Sequence, residues 1–453
     1  MLEPLYTAAE MRAAEERYPE YPDSVPELME RAGVAVARET MMAFPAAASY
    51  ACVCGGGSNG GDGRVAARVL REAGLVADET DDVDGYDVIV DALFGTGFSG
   101  EPRPEAAELI RRINDSPAPV VSVDLPSGID ASTGEAAGVA VEADLTVTFH
   151  SPKVGLVVAP GRFHAGRVIV ADIGLEDIPT ESHRATPALL DLVPLRSARD
   201  TKYTAGSVLV VGGQRGMTGA ACLTALAAFR SDAGYVVLAV PAESLAVVES
   251  LALEPVKIGW DDEDAIEVLS GAAERARSLA IGPGLGRSEG RRALVRALLE
   301  RVQLPTVVDA DGLFGLEPVE RSAPLVLTPH AGELARLLET ESAWVDGHRL
   351  EAARAAAERF RAVVLLKGAD TIVAEPGKGA IVVDLSPPGA LATAGTGDVL
   401  TGVVASFLSK GLEPQLAAAA AAVAHARAAK LATRRTGLMA SDLLQTLPAA
   451  LEG

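Results

Sequence analysis

Short apolar runs, each ending in a glycine-rich loop and followed by an alanine-rich helical pattern, recur along the whole chain. Residues 50–74 have the pattern of a strand, a glycine loop and a helix, and residues 206–241 repeat that order with a different loop. Alternating strands and helices of this kind predict an α/β fold. With 453 residues, 49% of them hydrophobic, the chain can build two full-sized cores.

A stretch without a long apolar run separates the two sets of motifs. Residues 177–205 hold three prolines in mixed charge, although TPALLDLVPL within them can form a short helix. We therefore expect domains at 1–176 and 201–453, joined by a linker at 177–200. The glycine loops of the two halves differ in sequence, which indicates a fusion of unlike domains.

Four polar residues follow three apolar strands of the N-terminal half. Asn59 lies in the loop GGGSNGGDG, Asp91 ends YDVIVDAL, and Asp124 and Ser127 follow VVSV. Because parallel strands end at the same edge of a sheet, the four side chains are predicted to lie together. Each residue by itself could equally cap a strand or form a turn.

The first glycine loop also fits an ordinary dinucleotide-binding turn. Gly55, Gly57 and Gly60 satisfy G-x-G-x-x-G, and Asp78 or Glu79 lies near the expected acidic position, but this short match has low specificity. The oxygen atoms of Asn59, Asp91, Asp124 and Ser127 favour a cation site over an ordinary dinucleotide-binding turn. Carbonyl, carboxylate and hydroxyl oxygens suit a hard, weakly charged cation, and one carboxylate remains for proton transfer.

In the C-terminal half, LATAGTGDVLTG (391–402) combines two glycines, an acid and a helix start. Gly395 and Gly397 carry no Cβ, so the amides between Ala394 and Asp398 can converge on an anion at the positive end of a helix. Asp398 is placed to take a proton from a hydroxyl that attacks a bound phosphate. The alternative is a glycine-rich turn in which Asp398 is only the N-cap.

Other motifs of this half are IGPGLG (281–286), VVDADGL (307–313), LTPHAGEL (327–334) and LLKGADTIV (365–373). The glycines of the first allow a ligand to approach the backbone closely. Asp309 and Asp311 end a buried-type strand, where open α/β sheets place ligand-facing groups. His330 and Lys367 are predicted to meet a ligand, with a structural histidine and an ordinary strand-end cation as the alternatives.

The order of these motifs from about Thr201 resembles the ribokinase-like kinases and, among them, the ADP- or ATP-dependent NAD(P)H-hydrate dehydratases. Lys202 and the strand GSVLVVGG open the resemblance, and GTGD resembles the family's anion hole. It implies Asp398 as the catalytic base and ADP or ATP as co-substrate, with magnesium bridging the phosphates. The implied nucleotide or substrate contacts are Ala220, Gly284, Gly286, His330, Lys367, Gly368, Ala369, Asp370, Thr371, Gly395 and Gly397.

From about Leu5 to Leu175 the chain resembles the NAD(P)H-hydrate epimerase family, and TFHSPKVGL and APGRFHAGRVIVADIGL match its closing segment. This resemblance implies a Rossmann-like three-layer α/β/α domain with Asp124 as the catalytic residue. The implied potassium ligands are Asn59, Asp91 and Ser127. The implied substrate contacts are Ser58, Asn59, Gly60, Gly61, Asp62, Gly95, Thr96, Gly97 and Glu101. The sequence departs from the family pattern at Ser58, where a second asparagine is usual, and after Gly97, where it has FSGEPRP.

Together the resemblances imply a bifunctional enzyme that repairs NADH or NADPH carrying a hydroxyl on C6 of the nicotinamide ring. One half would interconvert the R and S epimers, by loss of the hydroxyl or by ring opening. The other would phosphorylate the S form and eliminate phosphate, which restores NAD(P)H. The motifs do not distinguish ADP from ATP, although prokaryotic fusions of this type resemble the ADP-dependent enzymes.

Two other functions stay open at this point. A kinase of a small alcohol, such as a vitamin precursor or sugar, would use the same GTGD chemistry and leave the phosphate on its product. The front half could also be a nucleotide-binding module without catalysis. Intact Asp91 and Asp124 argue against loss of catalysis in that half.

The composition of the chain limits which partners it can bind and where in the cell we expect it. A formal net charge of −22 argues against nucleic acid or an anionic membrane as a partner, since those surfaces bind basic proteins. Cys52, Cys54 and Cys222 do not make a disulfide framework and are predicted to be small core residues. The first residues lack a basic segment followed by an apolar run, and residues 416–432 are predicted to form a packed alanine-rich helix. We expect a cytoplasmic homo-oligomer that binds small nucleotides.

Overall fold

The computed structural model describes residues 1–385, 389–432 and 436–452. They form two compact units. The N-terminal unit comprises Pro4–His183 with Asp346–His348, and the C-terminal unit comprises Met1–Glu3, Arg184–Val345 and the described residues from Arg349 onward. The first three residues of the chain thus belong to the C-terminal unit.

The first part of the chain alternates strands and helices. Its elements are β1 (Leu2–Leu5), α1 (Ala8–Glu15), α2 (Val25–Ala43), β2 (Ser49–Cys54), α3 (Ser58–Glu72), β3 (Val76–Glu79), β4 (Val88–Ala92), α4 (Pro104–Asp115), β5 (Val120–Val123), β6 (Leu145–Phe149), α5 (Gly161–His164) and β7 (Arg167–Ala171), with a 3-10 helix at Val154–Leu156. Six of these strands form a parallel sheet in the order β3-β2-β4-β5-β6-β7.

Helices cover both faces of this sheet. Side chains of α2 and α3, among them Val36 and Leu70, pack on one face of β2, β4 and β5. Ile110 and Ile113 of α4 pack with Ile89 on the other face. The central strands β4 and β5 are buried along their whole length, as parallel strands between two helical layers must be. The predicted three-layer α/β/α architecture is confirmed.

The strand order places a crevice at the carboxyl ends of β2 and β4. The chain leaves β2 for β3 on one side and then returns to form β4 on the other side of β2. Such a switch point separates the two connecting loops and makes room for a ligand. The glycine loop that follows β2 and the loop that follows β4 therefore border the same crevice.

The rest of the chain forms a larger unit. Its elements are β8 (Ser182–Ala185), β9 (Ser207–Val211), α6 (Thr218–Arg230), β10 (Tyr235–Pro241), α7 (Leu245–Leu251), β11 (Val256–Trp260), α8 (Ala265–Ala273), β12 (Ser278–Ile281), α9 (Glu289–Arg301), β13 (Thr306–Val308), β14 (Leu325–Leu327), α10 (Ala331–Leu338), α11 (Ser342–Gly347), α12 (Arg349–Phe360), β15 (Val363–Leu366), β16 (Thr371–Ala374), β17 (Ile381–Val383), α13 (Thr396–Ser409), α14 (Pro414–Leu431) and α15 (Ala440–Leu451), with 3-10 helices at Pro187–Leu192, Ala242–Ser244 and Ala310–Leu313.

An eleven-stranded sheet runs through this unit in the order β1-β8-β17-β16-β15-β14-β13-β12-β9-β10-β11. Its strands from β15 to β11 in this order pair in parallel, whereas β16 pairs antiparallel with both β15 and β17. The α/β class is therefore confirmed here too. The segment predicted as a linker, 177–200, is structured in part, because it contains β8 and the 3-10 helix at Pro187–Leu192.

Small side chains dominate the helical layer of the large unit. The alanines of α14 are buried, as the prediction of a packed helix requires, and α6 and α13 share the same core cluster. Cys52 and Cys222 are buried, as predicted for core residues, whereas Cys54 is only partly buried. Within the described ranges, no helix combines the length and the apolar character needed to span a membrane.

Candidate active sites

The predicted cation ligands of the N-terminal unit meet around the backbone of Phe94. Asn59, in the first turn of α3, donates from Nδ2 to the Phe94 carbonyl at 2.8 Å. The Phe94 amide donates to Ser127 Oγ at 2.8 Å. Ser127 Oγ donates in turn to Asp91 Oδ1 at 2.6 Å. The structure therefore brings together the amide, carboxylate and hydroxyl that follow three different strands.

Asp91 is a fully buried carboxylate without a cationic side chain beside it. Its residue exposure is 0%, and its oxygens accept from Ser122 Oγ at 2.8 Å and from the Ser127 amide at 2.9 Å. Burial raises the pKa of Asp91, while the hydrogen bonds from Ser127 and Ser122 oppose that rise. No lysine or arginine of the described residues pairs with it. A hard monovalent cation would supply the missing charge, and the surrounding oxygens fit one.

This oxygen set differs from a transition-metal site. No group of three or more His, Cys, Asp or Glu side chains that could hold a metal ion occurs in the described part of the chain. Amide, hydroxyl and single-carboxylate oxygens suit a weakly charged cation and not Zn²⁺.

Asp124 occupies a different environment from Asp91. It follows β5 with a positive φ of 65°, a backbone conformation that is uncommon for a non-glycine residue. Its Oδ1 accepts from Lys153 Nζ at 2.6 Å and from Thr148 Oγ1 at 2.9 Å. The two acids therefore differ in their surroundings. Asp91 accepts hydrogen bonds from neutral donors, whereas Asp124 is paired with a buried ammonium.

Two more carboxylates belong to the surroundings of Asp124. Burial is the main cause that raises the pKa of both Asp62, on α3, and Glu15, on α1, and the charge of Asp124 raises both further. Lys153 opposes the rise at each of them. Asp62 was predicted from the sequence, whereas Glu15, Lys153 and Thr148 were not. A lysine followed by the apolar run VGLVVA was the signal available for Lys153.

The predicted loop contacts border this crevice. Ser58, Asn59, Gly60, Gly61 and Asp62 begin α3, and the first backbone amides of a helix lack intrahelical partners, although that of Gly61 donates to the Gly57 carbonyl. A Cβ at Gly95 would lie 3.0 Å from the Asn59 side chain, so the loop after β4 touches the first turn of α3. Thr96 is half-buried, while Gly97 and Glu101 are exposed.

A substitution at Gly60 tests how closely the start of α3 approaches the glycine loop after β2. A Cβ there would lie 1.9 Å from the Gly55 carbonyl oxygen, whereas a Cβ at Gly57 would have no atom within 4 Å. We expect Gly60→Ala to destabilise the protein by roughly 1–3 kcal/mol and to slow the N-terminal activity, because the backbone must move to admit the methyl group. Thermal unfolding of Gly60→Ala and Gly57→Ala measures this. Equal melting temperatures for the two variants would contradict the close approach.

In the C-terminal unit, the loops after β9 and β12 pack against each other. The amide of Gly213 donates to the Pro283 carbonyl at 3.0 Å, and the amide of Gln214 donates to the Gly284 carbonyl at 2.7 Å. Gly284 has a φ of 62°, and a Cβ there would lie 3.3 Å from that of Ala220. The predicted contact residues Ala220 and Gly284 are therefore neighbours.

Asp311 has an internal role in the same region. Its carboxylate accepts from the Gly286 amide at 3.0 Å and from Arg287 Nε at 2.7 Å. It fixes the end of the IGPGLG loop, and both of its oxygens are occupied. A ligand-facing role for Asp309 and Asp311 stays a prediction.

Asp309 links three of the predicted motifs. This buried carboxylate accepts from Lys367 Nζ at 2.7 Å and from Thr401 Oγ1 at 2.6 Å. A Cβ at Gly397 would lie 3.3 Å from Lys367 Nζ and 3.8 Å from Asp309 Oδ2. Burial opposes the charge of Lys367, but the carboxylates of Asp309 and Glu333 outweigh it and raise the Lys367 pKa. The structure therefore holds a charged ammonium against the GTGD loop.

GTGD itself forms the start of α13. Gly395 has a φ of 90° and precedes Thr396, the first residue of the helix. The Thr396 hydroxyl donates to the Leu391 carbonyl at 2.8 Å, which fixes the turn. The amides of the first helical turn have no partner inside the helix and carry the positive end of the helix dipole. The predicted anion cradle and the Lys367 ammonium thus lie together.

Asp398 lies in the first turn of α13 with its backbone held from α6. Its carbonyl accepts from Thr224 Oγ1 at 3.0 Å. Burial, together with the charge of Asp309, raises the pKa of Asp398 to about 7, against the opposing charge of Lys367. A carboxylate that titrates near neutrality is well matched to general-base catalysis. Asp398 is not the N-cap of α13, because Gly395 occupies that position.

His330 is placed as a helix cap. Its Nδ1 accepts from the amides of Gly332 and Glu333 at 3.0 and 3.3 Å, and its own amide donates to Glu333 Oε2 at 2.9 Å. Nδ1 is occupied by the start of α10, so a ligand would contact the other ring nitrogen. The sequence located this loop but gave no sign of the cap.

The KGAD loop is held by a buried arginine that the sequence did not indicate. Arg349 donates from Nε to Asp370 at 3.1 Å and from Nη2 to the carbonyls of Lys367 and Asp370. A Cβ at Gly368 would lie 2.2 Å from Arg349 Nη2. The Asp370 carboxylate thus braces the loop, while Ala369 completes it and Thr371 begins β16. Nucleotide contact by these residues stays a prediction.

His425 is a further buried residue beside GTGD. It lies on α14 next to the backbone of Thr396, and its buried Nε2 has no hydrogen-bond partner among the described residues. Burial lowers the pKa of His425 to about 4, so the ring is neutral near pH 7. It supports the loop without adding charge to the anion cradle.

The titration of Asp398 predicts a pH dependence for the C-terminal activity. A base with a pKa raised to about 7 is protonated and inactive below that pH. We expect kcat/KM of the C-terminal reaction to fall roughly tenfold per pH unit below about pH 7 and to level off above it. Initial rates between pH 5 and 9 measure this profile. A flat profile down to about pH 5 would show that Asp398 is not the base.

Two family models match the chain. One, described as NAD(P)H-hydrate dehydratase, matches residues 208–449, and the other, described as YjeF-related protein N-terminus, matches residues 25–78 and 75–155. A bifunctional NAD(P)H-hydrate repair enzyme Nnr of Moorella thermoacetica is 38% identical, covering 99% of this chain and 96% of the relative. The protein of the same name from Salinibacter ruber is 36% identical, over 98% of this chain and 95% of the relative.

Solved structures resemble the C-terminal part. The ADP/ATP-dependent NAD(P)H-hydrate dehydratase of Bacillus subtilis, co-crystallised with ATP and Mg²⁺, is 29% identical with a TM-score of 0.54, and the match covers 58% of this chain and 96% of that one. A ribokinase-like superfamily protein of Enterococcus faecalis has a TM-score of 0.53 at 22% identity, covering 61% and 98%. The predicted ribokinase-like fold is confirmed.

Proposed function

Because this chain belongs to the family of bifunctional NAD(P)H-hydrate repair enzymes, we propose that its two units hold the two active sites described above. The substrates are NADH and NADPH hydrated at C6. The N-terminal site interconverts the R and S epimers, and the C-terminal site dehydrates the S form with a nucleoside di- or triphosphate. The observation that carries the proposal is the presence, in one chain, of a lysine-paired aspartate and of an aspartate at a glycine anion cradle.

At the N-terminal site, Asp124 is the acid/base that moves the proton in epimer exchange. Its pairing with Lys153 supports an ionised carboxylate. Potassium fits Asn59, Asp91 and Ser127, and when bound it would balance the Asp91 charge and order the loops that hold the substrate phosphates. We propose residues 58–62 and 95–101 as the substrate contacts of this site, and the close approach of Gly95 to the Asn59 side chain supports their forming one site.

At the C-terminal site, Asp398 takes the proton of the C6 hydroxyl while that oxygen attacks the terminal phosphoryl group of the nucleotide. The bond between this phosphorus and the bridging oxygen breaks, and the nucleotide leaves with one phosphate fewer. The amides at Gly395 and Gly397 and the Lys367 ammonium stabilise the charge that develops on the phosphoryl oxygens. The phosphate then leaves C6 and a proton leaves the neighbouring ring carbon, which forms the double bond of the dihydronicotinamide. Phosphorylation converts the C6 hydroxyl into a phosphate, which is a better leaving group than hydroxide. A site built for phosphoryl transfer can therefore catalyse a dehydration.

Magnesium is proposed together with the nucleotide. Mg²⁺ commonly binds through one or two carboxylates and the substrate phosphates, and would neutralise phosphate charge when bound. Asp309 and Glu333 are the carboxylates nearest to Lys367. The Bacillus subtilis relative was co-crystallised with ATP and Mg²⁺, which supports this proposal.

We also propose domain boundaries at 176 and 201, a cytoplasmic location and a homo-oligomeric state, with no nucleic-acid or membrane partner. The preference for ADP follows from resemblance to prokaryotic fusions.

The fate of the phosphate separates dehydration from the small-alcohol kinase. We expect hydrated NADH, a nucleotide and the protein to yield inorganic phosphate in the same amount as restored NADH. Chromatography of the products with phosphate analysis measures both. A stable phosphorylated product without NADH would favour the kinase, for which the family and the structural relatives give no support.

A further inference from the structure

Lys153 is a fully buried cation of the N-terminal unit. Its relative exposure is 0%, and Nζ donates to Asp124 Oδ1 at 2.6 Å, to Thr148 Oγ1 at 2.9 Å and to the Phe149 carbonyl at 2.9 Å. All three donor positions of the ammonium are therefore used. A buried cation with a complete set of partners is held in one orientation.

The two oxygens of Asp124 are not equivalent. Oδ1 accepts from both Lys153 and Thr148, whereas Oδ2 accepts no hydrogen bond from any residue in the described part of the chain. The Asp124 amide donates to the Val147 carbonyl at 2.8 Å, which holds the backbone at its positive φ. One oxygen is thus locked and the other stays open for a proton.

The charges around this pair explain why a cation is needed. The charge of Asp124 raises the pKa of Glu15 on α1 and of Asp62 on α3, while Lys153 opposes both rises and lowers the pKa of His150, after β6. Burial and the charge of Asp124 therefore both favour the protonated forms of Glu15 and Asp62. A single ammonium placed against Asp124 favours the ionised form of that acid over its two neighbours.

We propose that Lys153 is a positioning residue of the epimerisation site, which with the Thr148 hydroxyl fixes Asp124 as an ionised carboxylate whose Oδ2 exchanges the proton. This inference rests on the proposed function of the N-terminal unit and adds to it a group that acts through Asp124 without touching the substrate. Lys153 thereby selects which of the three acids acts as the base.

The test compares Lys153→Met, Lys153→Arg and Thr148→Val in the full chain. The rate at which isolated R epimer converts to the S epimer is followed by chromatography between pH 5 and 9. We expect kcat of Lys153→Met to fall about 100-fold with KM nearly unchanged, because a misplaced base costs rate and not binding. The acidic limb of its kcat/KM profile should move to higher pH, since Asp124 loses its counter-charge. Lys153→Arg keeps the charge and should leave that limb in place.

Dehydration of the S epimer by the same preparation reports whether the chain is folded and active at its other site. If Lys153→Met does not fold, Thr148→Val decides the question, with an expected fall in kcat of roughly tenfold at constant KM. Wild-type kcat and an unmoved pH profile in the variants would overturn the role of Lys153. Failure of the wild type itself to exchange the epimers would instead refute the proposed function of the unit.

Discussion

Asp398→Asn is expected to lower the dehydration rate by at least about 100-fold, the contribution typical of a general base. The amide of asparagine cannot take the proton of the C6 hydroxyl, while the anion cradle of α13 and Lys367 remain. The measurement is the recovery of NADH absorbance from isolated S epimer with nucleotide and magnesium. Nucleotide binding should change little, because the backbone amides and the Lys367 ammonium are unaltered.

The same variant should not be destabilised. Because burial raises the pKa of Asp398 in the folded protein to about 7, the native state binds more protons than the unfolded chain and loses stability as pH rises from about 4 to about 7. A neutral asparagine escapes this cost, so the melting temperature of Asp398→Asn at pH 8 should equal or exceed that of the wild type. Epimer exchange is the internal control. A marked fall in melting temperature would show that the activity loss reflects unfolding.

Asp124→Asn is expected to slow epimer exchange by about 100-fold or more while dehydration of isolated S epimer continues. Asparagine retains the shape of aspartate but cannot act as a base, and it leaves the Lys153 ammonium buried without a counter-charge. The rate of R-to-S conversion, followed by chromatography, measures the effect.

The melting temperature of Asp124→Asn gives a second, independent test of the ion pair with Lys153. Removing one partner of a buried ion pair commonly costs about 3–5 kcal/mol, so the melting temperature of this variant should fall, in contrast to Asp398→Asn. The dehydration rate at a temperature well below that melting point controls for folding. Exchange at the wild-type rate would show that another group, such as Asp62, is the base.

The fold and the main acids were accessible from the sequence because their signals are local or regular. Apolar runs mark strands, glycines mark the loops, and parallel strands end at a common edge. That reasoning placed Asp91 and Ser127 together, and the structure shows them in direct contact. The sequence also predicted that Lys367 meets a ligand, and in the structure a Cβ at Gly397 of the GTGD loop would lie 3.3 Å from Lys367 Nζ.

The residues that the sequence did not reveal have partners far away along the chain. Lys153 pairs with Asp124 over 29 positions, and Arg349 reaches Asp370 over 21. Nothing in the neighbouring sequence specifies such a partner, because burial of the charge is decided by how helices and loops pack. The same reason explains Asp311, whose two oxygens are occupied by the IGPGLG loop and its neighbour Arg287.

The most direct test of the bifunctional assignment uses a mixture of the R and S epimers of hydrated NADH. The protein is added with potassium, magnesium and either ADP or ATP, and the absorbance of the restored dihydronicotinamide is followed to completion. We predict complete recovery with at least one nucleotide, since the N-terminal site converts R to S as the C-terminal site consumes S. Recovery limited to the S fraction would contradict the epimerase assignment, and no recovery with either nucleotide would contradict the repair function altogether.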